Sequence, residues 1–161
     1  VSGYRYVAAN GADRWTDQAA QFLTASNFAG IAFGYAGCAA VHALSYPLGG
    51  KYHIPHGEAN QLMFAAVMKR YREKKPAGRL NELEALLGRV LDTAPGNALD
   101  ALYALMEQIL PRRPLSSYGI SAEAFPQFAD SVIEGQQRLL KNNYTELSRE
   151  DMIGIYCMCN E

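Results

Sequence analysis

Three histidines, the only ones in this sequence of 161 residues, fall within a stretch of fifteen: His42, His53 and His56. Imidazole nitrogen is a common ligand of iron, zinc, nickel and copper. His42 stands among small apolar residues, and His56 follows the rigid dipeptide Ile54-Pro55. A helix and the start of the next helix, joined by a glycine-containing turn, can bring two imidazoles onto one ion. We therefore predict that His42 and His56 are metal ligands.

Two imidazoles do not complete a metal site. Zinc usually takes four ligands, and catalytic zinc sites take about three of them from the protein. Glu58 and Asn60 carry side-chain oxygens nearby, although both follow the start of the predicted helix. The alternative is a pair of histidines that hydrogen-bond to buried backbone groups, and the residues alone favour neither interpretation.

Composition restricts the class of protein. A hydrophobic content of 49% is enough for a folded core, and a charged content of 19% is low, which suggests that a partner covers some surface. The net charge of −1 argues against nucleic-acid binding. No run of about 18 apolar residues occurs, so no membrane span is expected. We also expect no signal peptide, because no basic region precedes an apolar one.

The three cysteines indicate a reducing compartment and hence a cytoplasmic protein. Their number is odd and their spacing is not that of a disulfide framework. Cys157 and Cys159 form a Cys-x-Cys pair near the end of the sequence. We interpret this pair as two small residues on a terminal helix in preference to a metal or redox site.

Apolar periodicity predicts an all-α fold. Residues 45–56 read as a loop with two prolines and a glycine pair, and Pro47 is expected to end the preceding helix. Segment 1–14 is hard to assign, and residues 4–8 are its only strand candidate, so we divide the sequence into 1–14 and a helical metal-binding domain, 15–161. The predicted helices are 17–33, 38–44, 56–73, 79–92, 98–110, 121–141 and 149–159.

Residues 42–60 also resemble a known signature. They read HALSYPLGGKYHIPHGEAN, which resembles the second signature of the iron-containing (group III) alcohol dehydrogenases. LTASNFAGIAFGYAG at 23–37 and NNYTELSREDMIGIY at 142–156 resemble the same family, and so does the loop LSSYGI at 115–120. The resemblance extends from about residue 12 to the end, and its length makes it more specific than a lone glycine motif.

The resemblance implies a multi-helix domain of the dehydroquinate synthase-like fold. In this family an N-terminal α/β domain binds NAD(P), and a C-terminal helical domain holds Fe²⁺ (or Zn²⁺). Four residues bind the ion: the Asp and His of an Asp-x-x-x-His helix and two later histidines, which match His42 and His56. The Asp-x-x-x-His pair and the glycine-rich cofactor turn have no counterpart in this sequence. The resemblance thus implies a C-terminal part, with the nucleotide-binding domain and half of the metal site missing.

The family also suggests roles for two further residues. Tyr46 stands where many members carry a histidine close to the reacting carbon. Together with residues 56–61, Tyr46 looks most like the 4-hydroxybutyrate dehydrogenase branch. His53 falls at a position that the family does not fix, and we expect it to line the pocket. Tyr46 and His53 are therefore the candidate catalytic residues.

The implied activity is hydride transfer between NAD(P) and a primary alcohol or aldehyde, 4-hydroxybutyrate being one candidate, in a homo-oligomeric enzyme. The 161-residue chain alone is expected to be inactive. Two other classes stay open: a non-catalytic helical interaction module that has kept the family scaffold, and a metal-dependent hydrolase with a two-histidine site. Neither matches the signature as well.

Overall fold

The computed structural model describes Val1–Asn160, and these residues form α-helices and short 3₁₀ turns without a strand. The all-α prediction is thereby confirmed for the described chain. The helices are α1 Ser2–Asn10, α2 Ala19–Ala36, α3 Ala40–Tyr52, α4 His56–Lys74, α5 Arg79–Leu91, α6 Ala98–Ile109, α7 Phe125–Gly135, α8 Gln137–Leu140 and α9 Arg149–Met158. The 3₁₀ turns are Ala12–Gln18, Pro95–Asn97, Leu115–Tyr118 and Ala122–Ala124.

The chain divides into two compact units. The first unit combines Val1–Tyr35 with Ala77–Pro111, and the second combines Ala36–Pro76 with the described chain from Arg112 onward. Within Val1–Asn160 no single helix is both long and apolar enough to cross a membrane, although the pair Ala12–Ala36 and Ala40–Tyr52 meets those limits jointly.

The first unit packs α1 and α5 against α6. The apolar stripes of these helices meet in a small core of buried residues: Val7, Leu80, Leu91, Ala98 and Leu105. Gly88 lets the turn after α5 fold back closely, because a Cβ atom there would lie 2.8 Å from the carbonyl oxygen of Thr93. The guanidinium of Arg5 donates to the Leu91 carbonyl over 2.7 Å and so ties α1 to the end of α5.

The second unit contains a much larger core. Helix α3 packs against α4 and α7, and α9 packs against α4 and α7. Its largest fully buried side chains include Tyr156, Phe125, Leu44, Leu48, Leu62 and Met63. The hydroxyl of Tyr156 donates to the Leu44 carbonyl over 2.8 Å, so the largest of these side chains is buried without leaving its polar atom unpaired.

The predicted end of α3 at Pro47 and the predicted loop over 45–56 are wrong. Helix α3 continues through Pro47 to Tyr52. A proline inside a helix removes one backbone hydrogen bond and crowds the preceding turn. Burial offsets that cost here, since Leu44 and Leu48, on either side of the proline, are completely buried. The connection to α4 shrinks to three residues, 53–55.

Other boundaries differ in informative ways. The possible strand at 4–8 is wrong, because α1 occupies this stretch and buries Gly3 and Val7 one turn apart. The helix predicted over 121–141 is divided into α7 and α8 by Gln136, whose φ of −120° and ψ of 25° interrupt the helix. Ser121 makes no side-chain cap. Reciprocal bonds between Ser148 and Asp151 form a capping box at the start of α9.

Candidate metal centre

Two packed helices bring His42 and His56 together. His42 lies in the first turn of α3 and His56 is the first residue of α4. The centroids of the two imidazole rings are 5.2 Å apart, with an angle of 54° between the ring planes. Metal–nitrogen distances of about 2.0–2.1 Å place the centres of two imidazoles on one tetrahedral ion roughly 5 Å apart. The ring separation therefore fits a shared ion.

The environment of His42 keeps its imidazole neutral. Partial burial lowers its pKa below the ordinary value of 6.5, and the neighbouring His56 lowers it further. Burial acts in this direction because it disfavours the charged imidazolium. Near pH 7 the ring of His42 therefore carries a nitrogen lone pair, which is the form that binds metal.

Asn60 and Ser45 form a hydrogen-bonded pair that contacts the His56 ring. Asn60 follows His56 by one helical turn, and its Nδ2 lies 3.0 Å from Nε2 of His56. The Oδ1 of Asn60 accepts a 2.8 Å bond from the hydroxyl of Ser45 on α3. The sequence drew attention to Asn60 only as an oxygen-bearing neighbour and gave no sign of Ser45. Their spacing, His56 to Asn60 at i+4 and His42 to Ser45 at i+3, was the available signal.

Tyr46 lies beside the histidine pair. It follows His42 by four residues on α3, and its ring centroid is 6.5 Å from that of His56. Tyr46 is 40% exposed, so part of this residue is accessible to a small molecule. The structure thus places one of the two candidate catalytic residues at the histidine pair.

His53 has a different position. It terminates α3 with φ of 56° and ψ of 26°, and its backbone N–H bonds to the Gly49 carbonyl over 3.1 Å. This left-handed conformation is uncommon outside glycine and lets the chain turn sharply toward α4. The side chain is exposed. In the structure His53 ends α3. Its expected role in lining the pocket stays a prediction.

Glu58 is held by a loop distant in the sequence. The hydroxyl of Tyr118 donates to its Oε1 over 2.5 Å, and the guanidinium of Arg113 lies 3.3 Å from the same oxygen. Arg113 also lies over the Tyr118 ring, 4.4 Å from its centroid. Burial and the bond to Glu58 raise the pKa of Tyr118, which keeps its hydroxyl a donor. Glu58 therefore fixes the first turn of α4 to this loop.

The described residues could supply only part of a metal ligand set. Between Val1 and Asn160, no group of three or more His, Cys, Asp or Glu side chains is arranged to hold an ion. The pair His42 and His56 nevertheless has the donor chemistry and the ring separation of two ligands in a larger set. The residues present thus fit an iron or zinc ion as two of its ligands.

An all-helical fold with two neighbouring histidines is compatible with a metal-binding domain, and the sequence comparisons identify the family. Residues 3–159 match the family model of the Fe-containing alcohol dehydrogenase family, C-terminal. The chain belongs to this family.

Individual relatives agree with the family. The chain is 49% identical over 156 residues, or 97% of its length, to a 4-hydroxybutyrate dehydrogenase of Clostridium kluyveri. It is 31% identical over 94% of its length to long-chain-alcohol dehydrogenase 1 of Geobacillus thermodenitrificans. The chain covers 42% and 39% of these two proteins, respectively.

A solved structure shows the same fold. The crystal structure of a 1,3-propanediol oxidoreductase superposes with a TM-score of 0.77 at 23% identity, covering 98% of this chain and 43% of that one. The agreement in fold over nearly the whole chain confirms the architecture that the sequence resemblance implied.

Proposed function

We propose that this chain is the metal-binding C-terminal part of an NAD(P)-dependent alcohol dehydrogenase that interconverts a primary alcohol, of the 4-hydroxybutyrate type, and its aldehyde. The observation that carries the proposal is the pair of imidazoles of His42 and His56, with ring centroids 5.2 Å apart, in a chain of the iron-containing alcohol dehydrogenase family. The 49% identity to a 4-hydroxybutyrate dehydrogenase supports the substrate class.

The residues of this chain would hold the ion and orient the substrate. His42 and His56 supply two nitrogen ligands, and the remaining ligands and the nucleotide site come from residues outside the described set. A bound Fe²⁺ or Zn²⁺ supplies Lewis-acid chemistry toward an alcohol or aldehyde oxygen. Tyr46, exposed beside His56, donates a hydrogen bond to the substrate or to a water molecule. His53, whose side chain is exposed, is expected to line the pocket.

The free cysteines support a cytoplasmic location for this enzyme. Cys38, Cys157 and Cys159 are all unpaired thiols. Cys159 is buried and its thiol donates to the Leu62 carbonyl over 3.2 Å. Burial raises the pKa of Cys159 to about 12, so its thiol is protonated near neutral pH and acts as a core residue.

Metal content of histidine variants tests the proposal. In the complete enzyme, His42→Ala and His56→Ala should each lose the bound metal, as measured by elemental analysis, and lose NAD(P)-linked oxidation of 4-hydroxybutyrate. His53→Ala should retain the metal, which makes it a matched histidine control. Normal metal content in either ligand variant would contradict the assignment of that ligand.

The chain alone provides a second test. Because two imidazoles are an incomplete ligand set, the purified 161-residue chain should bind metal weakly and should not oxidise alcohols with NAD(P). Turnover by this chain alone would overturn the proposal that the catalytic site needs further residues.

A non-catalytic interaction module is the second candidate, and one observation favours it. Helix α2 is rich in apolar residues yet has no buried residue, as expected of a surface that binds another protein segment. The histidine variants separate the two candidates, since an interaction module would bind its partner equally well after His42→Ala and His56→Ala.

A further inference from the structure

A polar network connects the two histidine-bearing helices. The carboxamide of Asn60 on α4 contacts Nε2 of His56 over 3.0 Å with one end and the hydroxyl of Ser45 on α3 over 2.8 Å with the other. The Ser45 hydroxyl also lies 2.9 Å from the backbone carbonyl of His42. A single chain of contacts thus runs from the backbone of one histidine to the ring of the other.

Ser45 is the buried member of this network. Ser45 is 1% exposed, so its hydroxyl is buried within the second unit. Its neighbours Ala43 and Leu44 are completely buried in the same turns of α3. A buried hydroxyl costs free energy unless it is hydrogen-bonded, and Asn60 is one of two partners that the Ser45 hydroxyl has, the other being the His42 carbonyl.

The hydrogen-bonding capacity of the network determines how the His56 ring is held. A serine hydroxyl has one proton, whereas Ser45 faces two acceptors, the His42 carbonyl and Oδ1 of Asn60. Rotating the Asn60 carboxamide by about 180° exchanges its oxygen and nitrogen. The Asn60 nitrogen then donates to the Ser45 hydroxyl, and the Ser45 hydroxyl donates to the His42 carbonyl. The Asn60 oxygen accepts from the Nε2–H of His56. When the Asn60 nitrogen donates to Nε2, the neutral His56 ring carries its proton on Nδ1 and has no lone pair left for a metal. In the rotated arrangement the proton is on Nε2, and Nδ1 of His56 is left with a lone pair for a ligand.

We propose that Asn60, anchored by Ser45, is a positioning residue that holds the ring of His56 toward His42 for metal binding. The inference rests on the proposed function, because it presupposes that His56 is a metal ligand. Histidine ligands commonly bond through their second ring nitrogen to a protein group that fixes the ring orientation and the tautomer. Asn60 supplies that group from one helical turn away.

Metal affinity measures the effect of this support. The apparent dissociation constant of the complete enzyme for Zn²⁺ can be measured by competition with a chelator. Asn60→Ala should weaken binding about 10–100-fold, the range found for loss of such supporting groups. Ser45→Ala should weaken binding less, because the carboxamide is still present, and Asn60→Asp, which keeps an oxygen acceptor, should stay closer to wild type than Asn60→Ala.

Asn143 provides a matched control. It lies in the same unit, and its Oδ1 accepts a 2.9 Å bond from the Tyr71 hydroxyl. Asn143→Ala removes a carboxamide of equal size that bonds to the far half of α4, so it should leave zinc affinity unchanged. Equal losses in Asn60→Ala and Asn143→Ala would show a general structural effect and overturn the inference.

The outcomes separate this inference from the proposed function. If His56→Ala loses zinc while Asn60→Ala binds it with wild-type affinity, the positioning role is wrong and the proposed function stands. If His56→Ala itself retains zinc with wild-type affinity, the proposed function fails and the inference fails with it. Loss of affinity in both variants, with Asn143→Ala unchanged, supports both.

A spectroscopic test addresses the same role without metal. The sequence has three histidines, so nitrogen-15 NMR of labelled histidine rings can be assigned from single substitutions. In the wild-type chain His56 should show one dominant tautomer, and in Ser45→Ala or Asn60→Ala it should show an averaged mixture. An unchanged, single-tautomer signal of His56 in Asn60→Ala would overturn the inference.

Discussion

The two units differ in how they treat apolar side chains. In the second unit α3 and α4 bury Leu44, Leu48, Leu62 and Met63 almost completely. In the first unit α2 has no buried residue, although it is the more apolar sequence. Among the described residues, the large exposed apolar side chains lie in the first unit with the exception of Tyr46: Tyr4, Trp15, Leu23, Phe28, Ile31, Phe33, Tyr35, Leu86, Val90 and Leu110.

This difference shows that apolar composition and burial are separate properties. Both α2 and α3 are rich in small and apolar residues, and the sequence gives no reason to distinguish them. The second unit buries its apolar residues within itself and holds the histidine pair on that core. The stability of the metal centre should therefore depend on the second unit and hardly on the side chains of α2.

The largest difference in the free energy of unfolding should appear when one leucine in each unit is replaced by alanine. Leu48→Ala in α3 removes a completely buried side chain and should lower the free energy of unfolding by about 2–5 kcal/mol. Leu23→Ala in α2 truncates a side chain that is 74% exposed and should change it by less than about 0.5 kcal/mol. Urea denaturation followed by circular dichroism measures both. Equal losses of unfolding free energy in the two variants would mean that α2 is buried in solution. They would contradict the difference in burial between the two units.

The sequence predicted the bounds of some helices well and missed the true end of α3. Helices α4, α5 and α6 end within two residues of their predicted bounds, because their apolar periodicity and the breaks at Pro76 and Pro95 agree. The continuation of α3 through Pro47 was not predicted, because burial of the leucines on both sides outweighs a local helix-breaking preference. Local patterns do not report such tertiary packing.

The candidate centre was predictable only in part. The signature around His42 and His56 indicated these two residues as candidate ligands, and the structure places their rings 5.2 Å apart. The bond between Glu58 and Tyr118 joins residues 60 positions apart, so no local pattern reveals it. Ser45 resembles any helical serine in the sequence, and its role depends on burial against Asn60.

A smaller effect on stability, and one that depends on pH, should appear when one aspartate in each unit is replaced by asparagine. Burial raises the pKa of Asp151, but hydrogen bonds from Lys74 and from Ser148 outweigh it, so the net pKa lies below 3.8. A carboxylate with a lowered pKa stabilises the fold above its unfolded value, and this stabilisation is lost as pH falls through the folded value. Asp151→Asn should therefore reduce stability at pH 7 and have progressively less effect below pH 3.8.

Asp17 in the first unit is the control for Asp151. Hydrogen bonds from Tyr6 and Arg14 also lower its pKa, yet these groups lie at the exposed surface. Exposed ion pairs contribute little, because water and salt screen them. In urea titrations at pH 7, Asp17→Asn should therefore cost less than Asp151→Asn. A larger cost for Asp17→Asn would contradict the view that the second unit holds the stable core.

The most direct test of the metal centre is to locate the ion itself. Crystals of the complete enzyme grown with Zn²⁺ and measured at the zinc absorption edge give an anomalous difference map. The account predicts one strong peak about 2.0–2.1 Å from a nitrogen of His42 and from a nitrogen of His56. A fully bound ion elsewhere, with these two rings bonded only to protein groups, would contradict the account.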